Sequence, residues 1–322
     1  MNNLRPVSLE ELHAAAQRIK SVINRTPLIK LNVQDAPAEI YLKMENLQAI
    51  GSFKIRPGAS VILNVEKEKI ADGVYTASSG NMAQGVAYAA REAGVAATVL
   101  LPQNAAANKV AAIERLGASI RFMKDEEWWQ VLKDHGHPEI KGLFIHPVAN
   151  QDVLAGDATV GLEIIEDLPD VDTVLVPFGG GGLACGIASA FRALGSPARV
   201  LGAESLHCAP LEAALSAGKP LDLPVVPSFI SGIGIGHVLD EMWPLIEDLV
   251  TGSVVASLEE IANSIKILFE RNRIIAEGAG ASGVASALAG RGGTGKVVCV
   301  ISGGNLDEKY LIDILQGRVP AA

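Results

Sequence analysis

The sequence predicts an α/β protein with mostly parallel sheets, built as two lobes of interleaved chain. Three observations lead there. Apolar runs of strand length alternate with helix-length segments, which implies βαβ units. The composition is 49% hydrophobic but only 4% aromatic, with 33 glycines, a balance that suits buried strands joined by tight turns. No Pro/Ser linker divides the 322 residues into separate beads.

The elements follow in order. Ser8 with Glu11 three residues later is a capping box, predicting a first helix to about Ile23, ahead of the break at Thr26-Pro27. Residues 40–44 read as a strand. Residues 73–77 form a strand that enters Ser78-Ser79-Gly80-Asn81 and then an alanine-rich helix over 82–93. Strand 97–101 stops at Pro102, and a helix over 109–116 leads to strand 119–123. Glu126-Glu127-Trp128-Trp129 reads as an amphipathic helix with its tryptophans in the core. Strand 142–146 ends at Pro147, and a helix covers 157–167. Strand 171–176 runs into Gly179-Gly180-Gly181-Gly182 and a helix over 183–194. Strand 199–203, a Pro/Gly-rich loop over 219–243, strand 296–301 and a helix over 306–315 complete the reading.

Composition also excludes. The formal charge of −9, without a dense Lys/Arg run, argues against nucleic acid. The cysteines are Cys185, Cys208 and Cys299; an odd, unclustered set fits a reducing compartment. The N-terminus lacks a signal-peptide core, and no apolar run is long enough to span a bilayer. A cytoplasmic location without a membrane partner is the expectation.

In parallel α/β folds ligands sit at the carboxyl ends of strands, where three suspicious loops lie. Gly179 to Gly182 stands between a strand and a helix. Glycine lets backbone approach a ligand, and a helix start offers unpaired N–H groups, so the run reads as a phosphate site rather than a plain turn. It matches neither the nucleoside-triphosphate nor the dinucleotide fingerprint. Ser78-Ser79-Gly80-Asn81 offers N–H groups to a carboxylate, although an ordinary N-cap explains it equally. Ser302-Gly303-Gly304-Asn305 has the same two readings. Lys54, between Phe53 and Ile55, is placed for burial. Burial lowers a lysine pKa, and a neutral amine attacks an aldehyde. His135 and His137 read as solvated loop residues. Glu204, His207 and Cys208 offer the donors of a cation site.

Together these pieces resemble a family. Glu45-Asn46-Leu47-Gln48, Gly51-Ser52-Phe53-Lys54, Ser78 to Asn81, Gly179 to Leu183, Glu277-Gly278-Ala279-Gly280-Ala281 and Ser302 to Asn305 are similar, in order, to the threonine dehydratase and serine racemase group. These are pyridoxal-phosphate (PLP) enzymes of the tryptophan-synthase-β-like fold, fold type II. The resemblance implies two interleaved three-layer αβα domains: 1–48 plus 147–322 as the large PLP-binding domain, and 49–146 as the small substrate-side domain. It implies that Lys54 holds PLP as a Schiff base, Phe53 packs beside it and Asn81 bonds its ring hydroxyl. Gly179, Gly180, Gly181, Gly182 and the Leu183 N–H would cradle the phosphate, and Ser302 would face the pyridine nitrogen. Ser79 would be an acid/base candidate opposite Lys54. Ser78, Ser79, Gly80, Asn81 and Met82 would bind the carboxylate of a small amino-acid substrate. The implied reaction is dehydration and deamination of a threonine- or serine-like β-hydroxy amino acid to a 2-oxo acid and ammonia. The alternatives are racemisation at the same site, β-replacement, and non-catalytic phosphate binding. A homodimer or higher homo-oligomer is implied as well.

The departures are informative. Met82 stands where the family has histidine, Pro57 interrupts its Arg-Gly-Ala run, and Asp157-Ala158-Thr159 replaces Gln-Gly-Thr. Downstream of Glu204, Cys208-Ala209-Pro210 occupies the place of a further acidic residue, so no metal is expected. The Met82 exchange points to a substrate bulkier or less polar than threonine.

Overall fold

The computed structural model describes residues 4–103, 105 and 107–321; the first three residues of the N-terminal stretch lie outside it. In chain order the helices and strands are α1 Leu9–Ile19, β1 Leu28–Lys30, β2 Glu39–Lys43, α2 Ile55–Ile62, β3 Val74–Ala77, α3 Asn81–Ala93, β4 Ala97–Pro102, α4 Ala107–Arg115, β5 Ser119–Met123, α5 Asp125–Lys133, β6 Leu143–Phe144, α6 Gln151–Asp167, β7 Thr173–Pro177, α7 Gly182–Ala193, β8 Arg199–Ser205, α8 Pro210–Ala217, α9 Trp243–Leu249, β9 Gly252–Ala256, α10 Leu258–Ile267, α11 Gly278–Leu288, β10 Lys296–Val300 and α12 Glu308–Leu315.

Two sheets organise these elements. One has the order β1-β2-β10-β7-β8-β9 and the other β5-β4-β3-β6. Every strand pairing is parallel except β1 with β2, as the strand–helix alternation predicts. Side chains along the central strands alternate between two cores. Val174, Val176, Val298 and Val300 face α1, α6 and α7, while Leu175, Val297 and Cys299 face α10 and α11. In the smaller sheet Val74, Val99 and Leu101 face α2 and α3, while Tyr75, Ala77 and Leu100 face α5. Each sheet is therefore the middle of an αβα sandwich.

Local chemistry sets the ends. Ser8 and Glu11 form the expected capping box, but α1 stops at Ile19, with a turn through 20–22, rather than reaching Ile23. Asn150 caps α6, its Oδ1 accepting from Asp152 and Val153, so that helix starts at Gln151, ahead of the predicted residue 157. The tryptophans of α5 correct the core expectation: Trp129 is 49% exposed, and partly buried Trp128 donates its Nε1–H to the Leu100 carbonyl. The two rings meet edge to face at 5.0 Å.

Two close approaches place the site. A Cβ on Gly85 of α3 would lie 2.2 Å from the Lys54 carbonyl oxygen, and one on Gly58 of α2 2.8 Å from that of Gly85. Glycine at both positions lets the start of α2, carrying Lys54, lie directly on α3. Behind α2, buried Arg56 makes paired hydrogen bonds of 2.8 Å to Glu45 and 2.8 Å to Glu163, and Lys43 bonds Glu163 at 2.5 Å.

Candidate active site

Lys54 is the last residue before α2. Its loop is pinned by the loop after β10: the Phe53 N–H donates to the Ser302 carbonyl, the Gly304 N–H to Gly51, and Ser52 bridges Gly303. The amine donates to the Pro147 carbonyl at 2.9 Å and sits 5.0 Å from the centre of the Phe53 ring. Burial pulls its pKa below the ordinary lysine value, overcoming the opposing field of Asp157. A larger fraction of neutral amine is available as a base or nucleophile.

A cavity of about 1390 Å³ opens over Lys54. Phe53, Ser78, Ser79, Gly80, Asn81, Met82, Gly179, Gly180, Gly181, Gly182, Leu183 and Ser302 all border it, so every residue the sequence singled out for cofactor or substrate meets in one place. Met82 borders it while remaining 3% exposed within the core around α2 and α3.

Two helices start at the cavity. Gly80 precedes α3 and Gly181 precedes α7, and neither start is capped by a side chain. The Ser78 hydroxyl accepts from Gly80 rather than from the first turn of α3, which removes the plain N-cap reading. Both helix starts thus present unpaired N–H groups and positive dipole ends. In the glycine run, Gly181 takes φ +90°, a conformation L side chains avoid. A Cβ on Gly179 would meet the Gly232 carbonyl oxygen at 2.5 Å, and one on Gly180 a Val148 methyl at 2.6 Å. Backbone alone fits there, the surface a phosphate requires.

Asn81 is oriented from both sides. Its Nδ2 donates to Glu277 at 2.8 Å, and its Oδ1 accepts from Asn305 at 2.8 Å. That leaves the second Nδ2 hydrogen for a ligand. Burial pushes the Glu277 carboxyl up to about 7. The motif containing Glu277 was visible in sequence, but its contact with Asn81 spans 196 positions.

Sequence reading missed the group on the far wall. His146 follows β6, His135 follows α5, and Glu241 precedes α9. The His135 and His146 rings stack at 4.6 Å, and Glu241 lies 2.8 Å from His135 Nε2 and 3.8 Å from His146 Nε2. His135 keeps the exposure expected of it, 42%, while it contacts Glu241 and stacks on His146; His137 is only 12% exposed, which corrects the solvated reading of that residue. His146 Nδ1 accepts the Val148 and Ala149 N–H groups, and burial holds the ring neutral, down to about 3. Its one proton is then on Nε2, facing Glu241. A metal would need the Nε2 lone pair that this proton occupies; the three side chains cluster within 4.8 Å, and His135 with Glu241 is the pair at hydrogen-bond distance.

The Glu204 carboxylate accepts the Leu211 and Glu212 N–H groups and the Ser253 hydroxyl. It caps α8, an account of its burial that needs no cation.

Comparison with known proteins bears on this arrangement. The family described as pyridoxal-phosphate dependent enzyme matches residues 19–303. The chain belongs to that family. It is 38% identical over 315 residues to an L-threonine ammonia-lyase of Thermotoga maritima, covering 96% of this chain and 78% of that protein. It is 34% identical over 309 residues to a catabolic L-threonine dehydratase of Escherichia coli, covering 94% of each. Among solved structures, maize serine racemase aligns with a TM-score of 0.89 at 31% identity, over 96% of both chains. The fold is that of tryptophan-synthase-β-like PLP enzymes, and the cofactor of this family is pyridoxal phosphate. Among the described residues no helix is long and apolar enough to cross a membrane.

Proposed function

We propose that this enzyme eliminates the β-hydroxyl and amino groups of a β-hydroxy amino acid, giving a 2-oxo acid and ammonia, and that its substrate is bulkier or less polar than threonine. The observation that carries the reading is the placement of Lys54 in one cavity with two uncapped helix starts. The N–H groups of Gly179 to Leu183 would hold the cofactor phosphate. Phe53, Asn81 and Ser302 would hold its ring. Bound there, pyridoxal phosphate supplies a sink for the charge that develops at the substrate Cα. The start of α3, from Ser78 to Met82, would fix the substrate carboxylate. Lys54 is the base that takes the Cα proton. Ser302 would donate a hydrogen bond without a formal charge, which favours prompt loss of the β-hydroxyl. The side chain of Met82 is buried in the core around α2 and α3, which leaves the carboxylate to backbone donors. Trp128, Trp129 and Leu132 on the same cavity wall add apolar surface for a larger β-substituent.

The purified protein should absorb at about 410–420 nm, the signature of lysine-bound cofactor, and Lys54→Ala should lose the band. Release of 2-oxo acid from threonine, serine, phenylserine and 3-hydroxyaspartate would rank kcat/KM. A clear threonine optimum would sink the substrate proposal, and a protein that stays colourless with added cofactor would sink the site assignment. Racemisation is the second reading, favoured by Ser79 bordering the same cavity. Chiral analysis of residual substrate separates the two.

We further propose residues 1–48 with 147–322 as the cofactor-binding unit and 49–146 as the substrate-side unit. A cytoplasmic homo-oligomer completes the reading. Three free, buried cysteines support the compartment, and sedimentation analysis tests the assembly.

A further inference from the structure

Asp157 lies in α6, against the start of α7. Its side chain is fully buried, and neither carboxyl oxygen has a hydrogen-bond partner. Oδ2 points at the glycine run: a Cβ on Gly182 would lie 3.1 Å from it. Gly186, one turn on, brings α7 so close that a Cβ there would lie 2.7 Å from the Asp157 Cβ. A carboxyl in such a place needs a partner, because an unpaired buried polar group is costly. The start of α7 beside it offers uncapped N–H donors. A phosphate held by those N–H groups would bring acceptor oxygens. An ionised Asp157 would repel that phosphate, whereas a neutral one could donate its O–H to it.

We propose that Asp157 is a phosphate-binding acid, which must carry its proton when the cofactor phosphate is bound and so couples cofactor binding to proton uptake. The inference rests on the cofactor reading above. The groups facing Asp157 are Lys54 and Arg56 from α2, whose charges favour ionisation, and Glu45 behind Arg56, which opposes it. The Cys185 thiol of α7 is itself pushed up by burial and by Asp157. Burial dominates and raises the Asp157 carboxyl to about 7. Above that pH the free protein loses the proton that the complex needs. Binding then draws a proton from the buffer: one O–H bond forms on the Asp157 carboxylate as one bond to hydrogen breaks on the buffer acid, which is left as its conjugate base.

The test uses the full chain freed of cofactor and pyridoxine 5′-phosphate, which has the phosphate but no aldehyde to react with Lys54. Between pH 6 and 8.5 wild-type affinity should fall on the order of tenfold more than that of Asp157→Asn, whose amide donates at every pH. Calorimetry in buffers of different ionisation enthalpy should show wild type taking up about one proton more at pH 8. Pyridoxine, without the phosphate, should show no such difference. Should the variant not fold, infrared difference spectra of wild type labelled with [4-13C]aspartate are decisive: the probe should raise a protonated-carboxyl band at pH 8. Binding with equal proton uptake in both proteins, or no labelled band, overturns the proposal and leaves the cofactor reading standing. No binding at any pH overturns both.

Discussion

Lys54 and Glu277 reach unusual protonation by the same route, burial that disfavours charge, yet with opposite signs. The lysine is pulled down toward a usable base, while the glutamate is pushed up to about 7 and keeps a hydrogen bond from Asn81. A carboxyl raised in the folded state contributes stability that is fully present below its unfolded value. That contribution is lost as pH rises through about 7. Glu277→Gln keeps the acceptor for Asn81 and removes the charge. The cofactor-free variant should therefore lose less stability than wild type between pH 5 and pH 8. The difference, read by urea unfolding, should be on the order of 3 kcal/mol at most. Parallel pH dependences in the two proteins would show that Glu277 stays ionised in the fold.

At the scale of elements, the site depends on α2 and α3 touching through backbone. Gly85→Ala gains up to about 1 kcal/mol of helix propensity. The new methyl would lie 2.2 Å from a main-chain oxygen that cannot rotate away, and overpacking of this kind costs about 1–3 kcal/mol. The clash should win. Because the displaced oxygen belongs to Lys54, the variant should lose cofactor affinity several-fold as well as melting temperature; a rise in both would refute the packing argument. The loops feeding α3 and α7 were legible in sequence because their glycines and serines stand next to apolar strands. The stretch from β9 to α11 was not assigned. α11 is buried on nearly all sides and carries small residues without a stripe, so its periodicity is mute. α10 did carry a readable signal, the capping box of Ser257 and Glu260, the same device as at Ser8. Asp157 was visible as a departure, but its isolation was not. Partnerlessness depends on what α2 and α7 bring beside it, and no local pattern encodes that.

Across the whole molecule the two sandwiches are clasped on both sides of the cavity, and magnitudes separate the clasps. Arg56 belongs to α2, which packs with the smaller sheet, but its partners are Glu45 after β2 and Glu163 in α6, and all three are buried. His135 follows α5 of the smaller sheet and meets Glu241 ahead of α9, both about two-fifths exposed. Arg56→Met would take the guanidinium from buried Glu45 and leave Glu163 with Lys43 alone, which costs about 3–5 kcal/mol. Lysine would not rescue it, since one ammonium cannot make two bidentate pairs. Glu241→Ala breaks a pair that water screens, worth under about 1 kcal/mol. It removes the contact of Glu241 with His135 and His146, three residues that border the cavity. Expected, then, is a large fall in unfolding free energy for Arg56→Met. For Glu241→Ala the melting temperature should hardly change, while KM for the hydroxy amino acid rises several-fold and kcat stays within about twofold. Should Glu241→Ala instead unfold the protein, or leave KM untouched, the exposed clasp would have no part in holding substrate, and the buried one alone would set the geometry over Lys54.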